Sequence, residues 1–336
     1  MKPERFMVTA FARIDEATAR RPAPAPVVVA SAAMPAPVSR ARLYAQLTVV
    51  ALFWGGNFIA GRWLALQMPH FVAATARYLV AVAVLLAYLR QREGRWPRPN
   101  ARQWFDIAVL GACGVFAYNA FFFGAMARIS AGRAALIIGT TPALIAVAAW
   151  LVFRLRFAWW QWLGVMVALA GVAIVVARGE LSALASGALG SGDRLMLGGA
   201  LSMLVYTLVG RGMMGRPSAL STLAITAYAC AVGLLLLAAV AAFELPQVRW
   251  SRLGALDAVA IAYLGVAGTA VSFVWFYDGV RHLGAARASV FGNLVPVFGV
   301  ALAVLVLGEP LLASMVAGGL VVLAGVSLTN VERRRR

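Results

Sequence analysis

Ten predominantly apolar runs follow one another along the chain, at about residues 44–66, 69–89, 104–126, 131–153, 158–177, 193–213, 218–243, 255–278, 285–307 and 311–330. Each is of the length, about 20 residues, that a helix needs to cross a hydrocarbon layer. The strict apolar–polar alternation of a barrel strand is absent. In lipid the backbone must satisfy its own hydrogen bonds, and without a closed barrel it does so as helix. The pattern predicts an all-α polytopic membrane protein with ten transmembrane helices.

The pattern also repeats. A fixed offset of 154 residues carries Arg133-Ala134 onto Arg287-Ala288 and Pro142 onto Pro296. The same frame matches Gly111 with Gly265, Gly114 with Gly268, Phe122 with Phe276, and Gly164 with Gly318. Gly171 and Gly325 are also in register. An apolar chain matches alanines and leucines by chance, but not four glycines, a proline and an arginine in one ungapped frame. The reading is two five-helix units, residues 43–177 and 193–330, joined by a Gly/Ser-rich flexible linker at 178–192. An odd number of crossings per unit inverts the second copy relative to the first. Inverted repeats are the build of many secondary transporters, with the substrate near the midplane between the halves. Residues 1–42 are rich in Ala, Pro and Arg and lack the apolar core of a signal peptide, so a disordered cytoplasmic arm is expected. Met34 is a second possible initiator. Residues 331–336 form a basic cytoplasmic tail.

Composition sharpens the class. Hydrophobic residues make up 62% of the 336 and charged ones only 12%, against roughly a quarter charged in soluble domains. The net charge of +18 comes from arginines that flank the apolar runs, which points to anionic lipid at a cytoplasmic face and not to nucleic acid. With the N-terminus inside, 17 arginines fall at cytoplasmic helix ends and 7 at the opposite ends. Both termini are therefore expected in the cytoplasm of a bacterial-type inner (plasma) membrane. Cys113 and Cys230 lie within apolar runs as packing residues, and no metal-binding or cofactor-binding spacing appears. His70 and His282 sit near helix ends and the carboxylates fall mostly in loops, which argues against an enzyme. No phosphate-binding G-x-x-x-x-G-K-[ST] motif is present, so ATP-driven transport by this chain is excluded. A non-transporting partner subunit has only the N-terminal arm in its favour.

The candidate site residues are the polar and aromatic groups at membrane depth. Pro142 and Pro296, at the centres of the fourth and ninth runs, each free the carbonyl four residues back, Ile138 or Gly292, and are candidate hinges. Thr140, Thr141 and Asn293 stand beside these breaks. On the third run Gly114, Tyr118 and Phe122 share one face at i, i+4 and i+8, and Gly268, Ser272 and Phe276 are their partners in the eighth. They offer a pocket for an apolar or aromatic molecule, or ordinary helix packing. Asn57 pairs with Tyr206 by a separate offset of 149, and its amide needs a partner at that depth, either substrate or a neighbouring helix. Arg77, deep in the second run, either attracts a substrate carboxylate or bonds backbone carbonyls. Asp278, Arg281 and His282 read as a local ion pair at a helix end. Trp275 and Tyr277 read as interfacial belt residues. Gly164, Gly171, Gly318 and Gly325 mark a thin seam between the fifth and tenth helices.

A-L-F-W-G-G-N-F at 51–58, G-A-A-R-A-S-V-F-G-N-L-V-P-V-F at 284–298 and L-G-E-P at 307–310 are similar to the EamA-type members of the drug/metabolite transporter superfamily. The first unit departs where Leu155-Arg156 replaces Glu309-Pro310. The resemblance implies an inverted-repeat carrier that exports small metabolites or amino acids. One arginine and no carboxylate at the centre favour a neutral or zwitterionic substrate. A lipophilic toxic compound is the alternative.

Overall fold

The structure, a computed structural model, describes residues 39–153, 158–177, 190–214 and 220–329. The sequence readings on the arm before residue 39, on Leu155-Arg156, on most of the linker and on the basic tail lie outside the described residues. Among them the secondary structure is entirely helical. The first unit comprises α1 Arg40–Gln67, α2 His70–Glu93, α3 Ala101–Met126, α4a Ala131–Ile138, α4b Thr141–Phe153 and α5 Trp159–Ala177. The second comprises α6 Ser191–Met214, α7 Thr222–Glu244, α8 Ala255–Leu283, α9a Ala285–Val290, α9b Leu294–Leu307 and α10 Ala313–Thr329. Eight helical segments are long and apolar enough to cross a membrane. Of the other two, α6 carries Asp193, Arg194 and Arg211 along its length, and α10 has 17 residues.

Local chemistry sets the ends. Asn100 and Gln103 cap α3 reciprocally, at 2.9 and 2.8 Å. Ser130 and Ser221 cap α4a and α7 through the third backbone N–H of each helix. Gly94 and Gly308 end α2 and α9b in the left-handed region, φ 67° and 64°, where a side chain is strained.

The two units pack as a pseudo-two-fold pair. α1 packs on α8 and α9b, and correspondingly α6 packs on α3 and α4. α2 lies on α8 as α7 lies on α3, while α2–α7, α4a–α9b and α5–α10 pair across the axis. Such reciprocal pairing is the signature of an isologous interface. The glycine seam sits where the sequence put it. Cβ atoms at Gly171 and Gly318 would lie 2.8 and 2.7 Å from each other's carbonyl oxygens, and those at Gly164 and Gly325 would each lie 2.7 Å from the other's.

Three features depart from the sequence expectation. The fourth run is interrupted at Gly139–Thr140 and the ninth at a 3₁₀ turn, Phe291–Asn293, so each is two helices and not one. Both breaks lie just N-terminal to Pro142 and Pro296, because proline removes a backbone donor and crowds the preceding turn. Next, α3 contains a π-helical segment, Gly111–Ala117, and α8 one at Tyr263–Val271. Across the wider turn Tyr118 and Phe122 stay stacked on one another at 5.8 Å, while Gly114 and Phe122 meet different helices. Gly114 meets Tyr206 on α6, whereas Phe122 packs against Gly61 on α1. Finally, Tyr277 is not a belt residue. Its hydroxyl accepts from Thr226 at 3.2 Å and interacts with that of Tyr206, between helices.

Candidate transport pathway between the repeats

The α4/α9 pair is closed along one half and parted along the other. α4a and α9b form a close seam: a Cβ at Gly132 would lie 3.5 Å from that of Ala303, and one at Gly139 would lie 3.0 Å from Pro296 Cγ. Beyond the two breaks the partners separate. α4b packs on α5, α6 and α10, whereas α9a packs on α8, and the two form no comparable seam. Thr141 and Asn293, both half-buried, stand where the seam ends.

The seam end of the molecule, here the linker end because Ala177 and Gly190 bound the linker there, is tied across helices by charged groups. Arg133 Nε and Nη2 donate to the two carboxylate oxygens of Asp193 at 2.6 and 2.7 Å, and Nη2 also donates to the Val176 carbonyl. Both side chains are buried. Glu309 accepts from the Ala131 and Gly132 N–H groups at 2.8 and 3.1 Å, capping α4a. Glu244 does the same for α2 through Phe71 and Val72, at 2.8 and 3.3 Å. Carboxylates suit these positions because helix N-termini present unpaired N–H groups and a positive dipole end. Trp63 donates to Asp257 at 2.9 Å, and Arg62 to the Met126 carbonyl. At the opposite end, where α1 begins and α10 finishes, the ties between the two units are neutral or single: Tyr228 to the Pro97 carbonyl, Ser221 to Glu93, and Gln161 to the Thr329 carbonyl. His282 pairs locally with Asp278 at 3.3 Å, as its spacing predicted.

Between the two ends lie the residues singled out from sequence. Asn57 and Tyr206 occupy equivalent positions, each against the equivalent glycine of the other unit: Asn57 on Gly268, Tyr206 on Gly114. Asn57 Nδ2 donates to the Gly268 carbonyl at 3.2 Å, and its Oδ1 is buried without a partner. Arg77 is 4% exposed. It donates to Asn119 Oδ1 at 3.2 Å and Thr269 Oγ1 at 2.9 Å, and its Nε is unpartnered. Thr141 and Thr140 donate to the carbonyls of Ile138 and Ile137, so the oxygen that Pro142 would leave free is satisfied locally. Ser272 is likewise turned back on the Ala267 carbonyl in the π register. Phe122, at 1% exposure, stacks with Tyr118 and meets Phe58 edge-on, while half-buried Phe276 tilts against Trp54 at 5.3 Å. In this conformation, then, Arg77, Phe122, Thr140 and Ser272 are buried in packing. Asn57, Tyr118, Thr141, Tyr206, Phe276 and Asn293 retain partial exposure. Sequence reasoning missed Asn119 and Thr269, 0% and 1% exposed, because their partner Arg77 lies 42 and 192 residues away. It also missed Asp193, whose only signal was a carboxylate in the first turn of an otherwise apolar helix.

Two cavities lie outside this set of polar residues. One of about 370 Å³ is an apolar groove along α9b and α10, and one of about 590 Å³ lies among Arg90, Arg95, Trp96 and Arg98 in the α2–α3 loop.

Comparison with known proteins agrees with this architecture. A solved crystal structure covering 89% of this chain and 100% of its own superposes with a TM-score of 0.62 at 20% identity, which establishes likeness of fold. The uncharacterized transporter YyaM of Bacillus subtilis (strain 168) is 28% identical over 84% of this chain and 92% of its own length. A Streptantibioticus cattleyicolor protein named "Probable terminal-alkyne amino-acid exporter" is 28% identical over 71% of this chain and 78% of its own. The EamA-like transporter family matches twice, at residues 43–177 and 190–331, one match for each five-helix unit read from the sequence. With both units matched, the chain belongs to the EamA-like transporter family.

Proposed function

We propose that this transporter is a ten-span, inverted-repeat secondary carrier that exports a small neutral or zwitterionic metabolite, such as an amino acid, by alternating access. The observation that carries the reading is the α4/α9 pair, zipped at the linker end and parted beyond Gly139–Thr140 and Phe291–Asn293. Pro142 and Pro296 sit at the branch points as hinges. The excess of arginines at the opposite helix ends supports termini in the cytoplasm of an inner membrane, facing anionic lipid. The conformation described here is then sealed toward the outside.

The substrate class follows from charge. Among the described residues the middle of the molecule offers amides, hydroxyls, aromatic rings and the Arg77 cation, while the buried carboxylates Asp193 and Asp257 are engaged at the linker end. A dicationic substrate would enter uncompensated, at several kcal/mol. The exporter name of the Streptantibioticus relative is compatible with an amino acid. Purified protein in liposomes, screened for counterflow against amino acids, sugars, nucleosides and lipophilic cations, tests the reading. Amino-acid exchange that is weakened in Asn57→Ala supports it. Cation transport indifferent to Asn57 and Asn293 replaces it with efflux of lipophilic compounds.

A further inference from the structure

We infer that Arg77 and Asn57 form the two poles of a zwitterion site, Arg77 receiving the substrate's carboxylate and Asn57 its ammonium group. The inference rests on the carrier reading and assigns its binding residues. Arg77 and Arg133 are both buried arginines, and the protein treats them differently. Arg133 is neutralised by a two-point contact with Asp193. Arg77 has only neutral partners, the Asn119 amide oxygen, the Thr269 hydroxyl and the face of Tyr78, 5.2 Å from the ring centroid. Among the described residues it forms no ion pair. A guanidinium carries five donors, and its Nε is left over in a place where water does not reach. An unneutralised buried charge costs several kcal/mol, a cost that a bound carboxylate removes.

The partners are built to hold that guanidinium still. Asn119 donates its own amide N–H to the Val115 carbonyl at 2.7 Å, which leaves its oxygen for Arg77. Thr269 donates to the Leu264 carbonyl at 2.8 Å, which leaves its oxygen lone pairs for the same group. Its i−5 bond exists because Thr269 lies in the π segment of α8. Asn57 reaches the adjoining residue of that segment, Gly268, from α1. One turn of α8 therefore anchors both side chains, Arg77 at Thr269 and Asn57 at Gly268. Each keeps one buried polar atom without a partner, a donor at Arg77 Nε and an acceptor at Asn57 Oδ1. The amide orientation is fixed, since only its nitrogen can face the Gly268 carbonyl. Opposite polarities on neighbouring attachment points match an α-amino acid, whose ammonium and carboxylate are joined through one carbon. The aromatic groups Tyr118, Phe276 and Trp54 remain for its side chain.

The test is counterflow of labelled L-leucine and L-phenylalanine in proteoliposomes, with three competitors: the amino acid, its amide, which lacks the carboxylate, and its des-amino acid. For the parental protein the amide competes at least about 30-fold more weakly than the amino acid, the scale expected when one partner of a buried charge pair is removed. The des-amino acid competes at least about 10-fold more weakly, the scale of a hydrogen bond to a charged group. In Arg77→Met the amino acid and its amide become equal competitors, while the des-amino acid remains the poorer. In Asn57→Leu the discrimination against the des-amino acid is the one lost, and Arg77→Lys restores part of what Arg77→Met loses. A parental protein that exchanges amino acids yet is competed equally by amide and acid overturns the inference and leaves the carrier reading standing. Exchange of organic acids without amino acids, dependent on Arg77, retains the carboxylate pole and overturns the ammonium pole. Exchange of lipophilic cations alone overturns both the inference and the substrate reading. The parental competition series needs no variant to fold.

Discussion

The two ends of the molecule are built on equivalent helices and held by different chemistry. At the linker end Arg133 is buried against Asp193. The 154- and 149-residue offsets carry this pair onto Arg287 and Tyr44, both exposed at the other end, where Tyr44 touches the Phe291 ring at 5.7 Å. At the linker end Glu244 reaches from α7 to cap α2. At the other end Ser221 caps α7 from its own chain. The repeat preserves the frame, and a few side chains make one end more strongly tied than the other. A carrier with ends of equal strength would have no preferred resting side, and the substitutions that break the symmetry set one.

Weakening the stronger end has the largest expected effect. Asp193→Ala leaves Arg133 buried and unpaired, a loss of about 3–5 kcal/mol, visible as a lowered unfolding temperature in detergent. The double variant Asp193→Ala/Arg133→Leu recovers most of it. Arg287→Ala, at the matched exposed position, stays within about 0.5 kcal/mol. Equal losses at the two ends would erase the comparison.

Glu309→Ala comes next. It removes two charge-assisted caps from α4a, each hydrogen bond to a charged group contributing about 1.5–3 kcal/mol. A cysteine placed at Ala303, 1% exposed in the seam, should then react faster with a membrane-impermeant maleimide. An unchanged labelling rate means the glutamate caps without latching. Pro142→Ala and Pro296→Ala insert normally and slow counterflow, because a continuous helix removes the branch point. If both variants transport at the parental rate, the breaks play no part in the cycle. Ser221→Ala, a local cap at the weaker end, costs only about 1 kcal/mol and leaves transport intact.

How much of this was readable from sequence depends on distance along the chain. The helical runs, the repeat and the glycine seam follow from local composition and a fixed offset, so Gly164, Gly171, Gly318 and Gly325 are found without a structure. The prolines are equally legible, since Pro142 and Pro296 act on their own preceding turn. The π segments are not. Their glycines are visible, but the extra residue per turn is set by how Tyr206 and Asn57 dock against Gly114 and Gly268 from other helices. The same holds for Arg133, whose repeat position is plain while its counterion Asp193 belongs to the other unit. Tyr277 is another such case. Near a helix end an aromatic looks like an interfacial anchor until Thr226 and Tyr206 are brought to it.

The central claim is that the α4a–α9b seam opens and closes during transport. In a background lacking Cys113 and Cys230, Gly132→Cys and Ala303→Cys place two Cβ atoms about 3.5 Å apart, within the span of a disulfide. The atom nearest the new Cβ at position 132 is the flexible end of Met315, at 2.8 Å. Oxidation should lock the seam and abolish counterflow, and reduction should restore it. A cross-linked protein that transports at the reduced rate of exchange would show that the seam never opens, and would contradict the account.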